Sequence, residues 1–306
     1  MTEILVATPL PNNVVGGEIA LADGLWVKKL DPIQYPSEWF SERDKREIAG
    51  HQYWLGINCD SRTLLPKNRY ERLARGLYAT QILCPSQISN VYLTLVRTAD
   101  GFVVDHFNRY SPMKSTHVGY LSATRHFAEE FNLVFAGIEK AFANRVVRLQ
   151  NPILLLEHGL QIDNPPLRIL FFSMAMDMLY MAGGIVRFVE RINRFLDADS
   201  YIFPGTESLN LQPAITVGEI VEDLYKLRNI VAHGQEILEV PYRRRKDILA
   251  TDGSCLNNTY ELCYVDVLAE CSLFLLQRSL FKIFTEGLGD QVAQEKAWRK
   301  ILNGTS

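Results

Sequence analysis

Before residue 110 the apolar residues come in short runs, whereas from Val118 onward they recur at steps of three and four. That change of period predicts an α+β N-terminal domain over residues 1–113 and an all-α helical bundle over residues 114–306, with Ser111-Pro112 to Ser115 as the linker. In the first region Glu18 to Val27 reads as a hairpin turning at Asp23-Gly24, with Trp26 in a local core. Gln52 to Ile57 reads as a strand, and Asn68 to Leu83 as a helix carrying Tyr70, Leu73, Leu77 and Thr80 at helical spacing. Asn90 to His106 gives the clearest β pattern, two apolar runs around Asp100-Gly101, where glycine tolerates the positive φ of a tight turn. The mixed charges from Glu42 to Glu47 read as a solvated helix or loop.

In the helical half, Tyr120 to Arg148 is expected as one long helix or two joined end to end, stopped near Asn151-Pro152. Asn164-Pro165-Pro166 is a second break, after which Leu167 to Leu196 is expected as a single rod of 30 residues, with Gly183-Gly184 inside it to permit close helix packing. Along that rod Ser173, Asp177, Tyr180, Gly184, Arg187 and Arg191 form one polar line. Either the line is the wet side of an amphipathic helix, or Asp177 faces a cation on a neighbouring helix. Tyr260 to Thr285 is a further long helix, and a short one around Val292 to Leu302 closes the chain.

One helix stands apart. Thr216 followed by Glu219 is a capping box, and Gly234 is the residue type that ends a helix through a left-handed turn, so the helix is expected over 217–233. Val217, Ile220, Val221, Leu224, Leu227 and Val231 form its apolar stripe, and Arg228 falls among them. An unpaired buried charge costs several kcal/mol, so Arg228 must be paired or line a cavity; Asp177 is the candidate partner. His233 follows five residues later, about 140° round the helix. The two side chains therefore meet only across a wide cleft. Asn229, one i,i+4 step before His233, is placed to hydrogen-bond and orient the imidazole.

Charge and composition narrow the chemistry. With 306 residues and a net charge of −3, the chain has length for two cores and no overall basic surface for nucleic acid. A local patch would have to supply any such contact; Arg243, Arg244, Arg245 and Lys246 are four consecutive cations that read either as a solvated loop or as a phosphate-tracking patch. The five cysteines, Cys59, Cys84, Cys255, Cys263 and Cys271, form no C-x2-C pair, which points to a reducing cytoplasm without structural zinc or disulfides. No secretory leader is apparent. Ile169 to Val186 lacks basic residues, yet Asp177 at its midpoint would cost about 2.5–3.5 kcal/mol in a bilayer, so a buried bundle helix is expected instead of a membrane span. Phosphate-loop, dinucleotide-binding, H-E-x-x-H and G-x-S-x-G patterns are missing, and the acids are not paired as in a glycosidase or two-metal nuclease. Neither a metal nor a cofactor is expected.

One imidazole and one guanidinium suit a metal-free reaction. Histidine titrates near neutral pH and can take the proton of an RNA 2′-hydroxyl as it attacks the adjacent phosphate, while arginine holds oxygens on which negative charge builds. DNA lacks that hydroxyl, so the substrate would be RNA. The string Arg228-Asn229-x-x-x-His233-Gly234 at the end of a helix, in a helical C-terminal half, resembles the HEPN superfamily of ribonucleases and toxins over roughly residues 150–290. In overall layout the chain is similar to the ApeA-like proteins of bacterial phage defence, which act by abortive infection. The resemblance implies an endoribonuclease leaving a 2′,3′-cyclic phosphate, with Arg228 and His233 catalytic, Asn229 orienting and Asp177 supporting. It also implies a homodimer with both motifs facing one cleft, an N-terminal domain that senses a phage-derived trigger, and no membrane. The rival expectation is a non-catalytic helical dimerisation or ligand-binding module in which Arg228 and His233 are a satisfied structural pair.

Overall fold

The computed structural model describes residues 3–10, 14–30, 32–36, 40–42, 45, 52–59, 67–84, 91–109, 121–162, 164–202, 216–234 and 264–302. The chain divides into two compact units, Met1–Lys140 and Ala141–Ser306. The division lies later than the 113/114 suggested by the change of period.

In the first unit β1 (Ile4–Pro9), β2 (Val14–Gly16), β3 (Ile19–Ala20), β4 (Leu25–Lys29), β5 (Ile33–Gln34), β6 (Tyr53–Cys59), β7 (Val91–Thr98), β8 (Gly101–Arg109) and β9 (Leu121–Ala123) are joined by helices α1 (Lys67–Leu83) and α2 (Arg125–Ala143). Seven strands form one sheet in the order β3-β4-β6-β1-β7-β8-β5, and β2 pairs with β9 separately. β1 is the centre, antiparallel to β6 on one side and to β7 on the other. Its Ile-Leu-Val-Ala-Thr run is buried throughout because both sheet faces are covered. Leu5 and Ala7 point into a core with Trp26, Trp54, Leu93, Leu95, Phe102 and Val104. On α1, Leu73 and Leu77 are buried, and a Cβ on Gly76 would lie 3.1 Å from Leu25 Cδ1, so this helix packs closely over Leu25 and Leu55 on β4 and β6.

The β3–β4 hairpin turns through Asp23 (φ 55°) and Gly24 (φ 77°), and the Trp26 indole donates to Asn58 Oδ1 at 2.7 Å. The β7–β8 turn sits one residue earlier than expected, since Thr98 pairs with Gly101. Gly101 at φ 129° is still required, because a Cβ there would meet the Pro32 carbonyl at 2.5 Å. α2 belongs to this unit as far as Lys140: its Asn132 Oδ1 accepts the Ala22 N–H at 2.8 Å, and Glu139 pairs with Arg75 at 2.9 Å.

The second unit is helical among its described residues: α3 (Val147–Leu160), α4 (Pro165–Tyr180), α5 (Ile185–Leu196), α6 (Val217–Ala232), α7 (Tyr264–Thr285), α8 (Gly289–Val292) and α9 (Glu295–Leu302). α4 packs against α3, α5, α6 and α7 and is apolar on nearly every side, as a central helix must be. Its one buried cation, Arg168, is answered across the core by Glu270 of α7 at 3.0 Å. Asn164 caps α4 by accepting the Leu167 N–H at 3.1 Å, with prolines in the first turn where no N–H is needed.

Two sequence expectations fail here for identifiable reasons. Pro152 lies inside α3 and does not stop a helix; the break comes earlier, at Arg145 (φ 53°), where the Gln150 amide donates to the Ala141 and Phe142 carbonyls. The expected rod from Leu167 to Leu196 is broken into α4 and α5, which meet at 79°. Met181 is left-handed at φ 50°, Gly183 and Gly184 take φ 61° and 157°, and a Cβ on either glycine would meet nothing within 4 Å. The glycines thus make a corner and not a close helix contact. Among the described residues no single helix is long and apolar enough to cross a membrane.

Candidate functional site

α6 opens on extended Thr216, whose N–H and hydroxyl both donate to Glu219 Oε2, at 2.8 and 3.0 Å. It ends at Ala232, with His233 as C-cap and Gly234 leaving at φ 65°. Val217, Ile220, Val221, Leu224 and Leu227 are buried along its stripe. Arg228 continues that stripe but is not sealed, with 22% of its side chain exposed.

Three groups fix the guanidinium. Arg228 Nη2 donates to Asp177 Oδ2 at 3.2 Å, and Nη1 donates to Asn229 Oδ1 at 2.9 Å. Its Cζ stands 5.3 Å from the centre of the Tyr225 ring, within cation–π range. Tyr225 is buried and backed by Phe188 of α5 at 5.0 Å between ring centres. Sequence reasoning missed Tyr225; its position three residues before Arg228 on the same helix was the available signal.

Asp177 is itself held by the corner. It lies in the last turn of α4, where its backbone carbonyl accepts the N–H groups of Met181 and Ala182. Its Oδ1 accepts the Gly183 N–H at 3.3 Å, leaving Oδ2 for Arg228. The corner in turn is closed by Arg191 of α5, whose Nη1 donates to the carbonyls of Tyr180 and Met181 at 2.5 and 3.1 Å. The polar line expected along one rod is therefore distributed around a bend. Ser173, Tyr180 and Arg191 are buried, which removes the wet-face reading for them. The Tyr180 hydroxyl meets Ser279 Oγ at 2.6 Å; burial raises the phenol above its usual range, and the Ser279 bond partly opposes that.

Among the described residues Asn229 makes no side-chain hydrogen bond to His233. The His233 backbone N–H donates to the Asn229 carbonyl at 3.0 Å, which is helix bonding only. The Asn229 side chain serves Arg228 instead, because a guanidinium beside it is a stronger donor than an imidazole N–H. His233 is exposed, and among the described residues its imidazole has no hydrogen-bond partner. Arg243, Arg244, Arg245 and Lys246 lie outside the described residues. Among the described residues Cys59, Cys84 and Cys271 are buried and form no disulfide, and no group of three His, Cys, Asp or Glu side chains could hold a metal ion.

One helix end thus presents an accessible imidazole and, a turn and a half earlier, a guanidinium anchored on one side and partly open on the other. That pair can accept a proton and hold an anion. No family model matches the chain, and neither a curated protein nor a solved structure matches it.

Proposed function

We propose that the chain is a metal-independent endoribonuclease of HEPN type. The observation that carries the reading is a guanidinium anchored by Asp177 and Asn229 on the same helix as an exposed imidazole that has no hydrogen-bond partner among the described residues. His233 takes the proton of a 2′-hydroxyl as its oxygen bonds to phosphorus. The bond from phosphorus to the 5′-oxygen breaks, that oxygen takes a proton from water, His233 returns its proton to solvent, and a 2′,3′-cyclic phosphate remains. Asp177 and Asn229 each occupy one N–H, on Nη2 and Nη1, Nε is buried, and the remaining Nη protons face the charge that builds on the phosphoryl oxygens. Asp177 and Asn229 act through Arg228 and have no direct part in the chemistry. The angle between Arg228 and His233 is bridged by a homodimer in which each copy contributes to a shared cleft. Arg243, Arg244, Arg245 and Lys246 add phosphate contacts along the RNA. A cytoplasmic toxin of anti-phage defence, released by a phage-derived trigger, is the role such an activity fits.

Purified protein incubated with RNA in EDTA tests this, with product ends assayed for 2′,3′-cyclic phosphate. His233→Ala is expected to lower the rate by about 10²–10⁴ while the protein stays folded, and 2′-deoxy substitution at the scissile position is expected to block cleavage. Cleavage surviving in His233→Ala refutes the assignment. The Arg228–Asp177–Asn229 network also favours a second reading, a non-catalytic helical module in which Arg228 is a structural cation. Under it wild-type protein leaves RNA intact even with its trigger, and the His233 substitution changes nothing.

A further inference from the structure

We infer that Arg191 is a positioning residue for Arg228, acting through the corner between α4 and α5. The link is a continuous chain of hydrogen bonds. Arg191 holds the Tyr180 and Met181 carbonyls, the corner turns the Gly183 N–H back onto Asp177 Oδ1, and Asp177 Oδ2 takes Arg228. A straight helix could not do this, since its amides point along the axis and the N–H six residues on is out of reach of the side chain. The corner also has a cost. Met181 is left-handed without being glycine, a conformation that is unfavourable by about 1–2 kcal/mol. Arg191 offsets it by giving a donor to two carbonyls that the end of α4 leaves without helical partners. It is only 7% exposed, so its charge is spent inside the fold and not on a ligand. The same helix backs Arg228 a second time, because Phe188, one turn before Arg191, supports the Tyr225 ring beneath the guanidinium. α5 is in this sense the mount on which the Arg228 fork is aligned.

The activity arm of the test rests on the ribonuclease reading, and the spectroscopic arm does not. The full chain is labelled with 15N, and the Arg228 Nε–H resonance is assigned by its loss in Arg228→Lys. In Arg191→Met that resonance is expected to shift and its solvent exchange to speed up by about tenfold or more, with far-UV circular dichroism unchanged. Arg191→Lys, which keeps a donor for the carbonyls, is expected to restore most of the wild-type signal. In an Asp177→Asn background the further effect of Arg191→Met on the exchange rate is expected to fall below about twofold, because both substitutions break one path. In the RNA assay kcat is expected to fall about tenfold in Arg191→Met with KM within about twofold, since a loosened Arg228 is missed in the transition state. An Arg228 resonance unmoved by Arg191→Met, or effects that multiply in the double variant, overturns the inference. Should Arg191→Met fail to fold, Arg191→Gln carries the test, since its shorter side chain keeps a polar end without the reach of the guanidinium to both carbonyls; a shifted Arg228 resonance supports the inference and an unchanged one refutes it. Wild-type protein that never cleaves RNA removes the ribonuclease reading, while the resonance still decides whether Arg191 positions Arg228.

Discussion

Asp177→Ala is the most informative single substitution, because its cost follows from four terms, two set against the other two. The side chain accepts from Arg228 at 3.2 Å and from the Gly183 N–H at 3.3 Å, and both contacts would be lost. The paired side chains are 22% and 23% exposed, so solvent screens the attraction only in part. A hydrogen bond to a charged group contributes about 1.5–3 kcal/mol, and 3.2 Å is long for one, so the lower end applies. The backbone contact adds about 0.5–1 kcal/mol. Against these, an acid in the last turn of α4 opposes the helix dipole by about 0.3–1 kcal/mol, and alanine is the better helix former by up to about 0.7 kcal/mol. The balance is a destabilisation of about 0.5–2 kcal/mol, centred near 1, or a fall of about 1–8 °C in Tm for a unit of this size. Asp177→Asn keeps an acceptor and relieves the dipole, so it should fall between wild type and alanine. Thermal and urea unfolding followed by circular dichroism measure both. An alanine variant within about 0.5 kcal/mol of wild type, or an asparagine variant below it, refutes the assigned role.

Other perturbations follow from the same geometry. Arg168→Met takes the buried cation away from the partly buried Glu270 and should cost up to about 3–5 kcal/mol in urea unfolding, whereas the Arg168→Met, Glu270→Leu double variant should recover most of it; a double variant as weak as the single one contradicts the pairing. Gly159→Ala places a Cβ 2.3 Å from the Phe172 ring and should cost about 1–3 kcal/mol by the same assay. Tyr180 keeps its proton more tightly in the folded than in the unfolded state, so its contribution is complete below the ordinary tyrosine range near 10 and is lost as pH rises above it. Unfolding midpoints between about pH 9 and 11 should therefore fall less steeply in Tyr180→Phe than in wild type, and parallel slopes would exclude the linkage.

Features determined by neighbours in the sequence were legible before the structure. The Thr216–Glu219 box and Gly234 bound α6 because capping is local chemistry, and Arg228 demanded a partner because a cation in an apolar stripe must be answered. Its pairing with Asp177 across two helices followed from that demand. The corner was not legible, since Leu167 to Leu196 contains no proline and a Gly-Gly pair reads alike in a packed helix and in a bend. Two distant groups decide it: Arg191, which satisfies the carbonyls, and Phe188, which reaches Tyr225 only once the chain has turned. β1 was overlooked because a strand covered on both faces has no alternation to reveal it. Pro152 misled because its position near the start of α3 costs the helix only one bond, to the half-exposed Arg148. Asn229 was assigned to His233 by spacing alone, and spacing gives the neighbours of a side chain without saying which one wins.

The position of β1 bears on how the first unit assembles during synthesis. Of the strands in its sheet the earliest in sequence is the innermost, and its two hydrogen-bonding edges stay open until residues 53–59 and then 91–98 have been added. A nascent chain halted between those points would carry an apolar ribbon with one unsheltered edge, the kind of surface on which chains stick to one another. Ribosome pausing or truncation inside that window should therefore yield aggregates, whereas a stop after residue 140 should not.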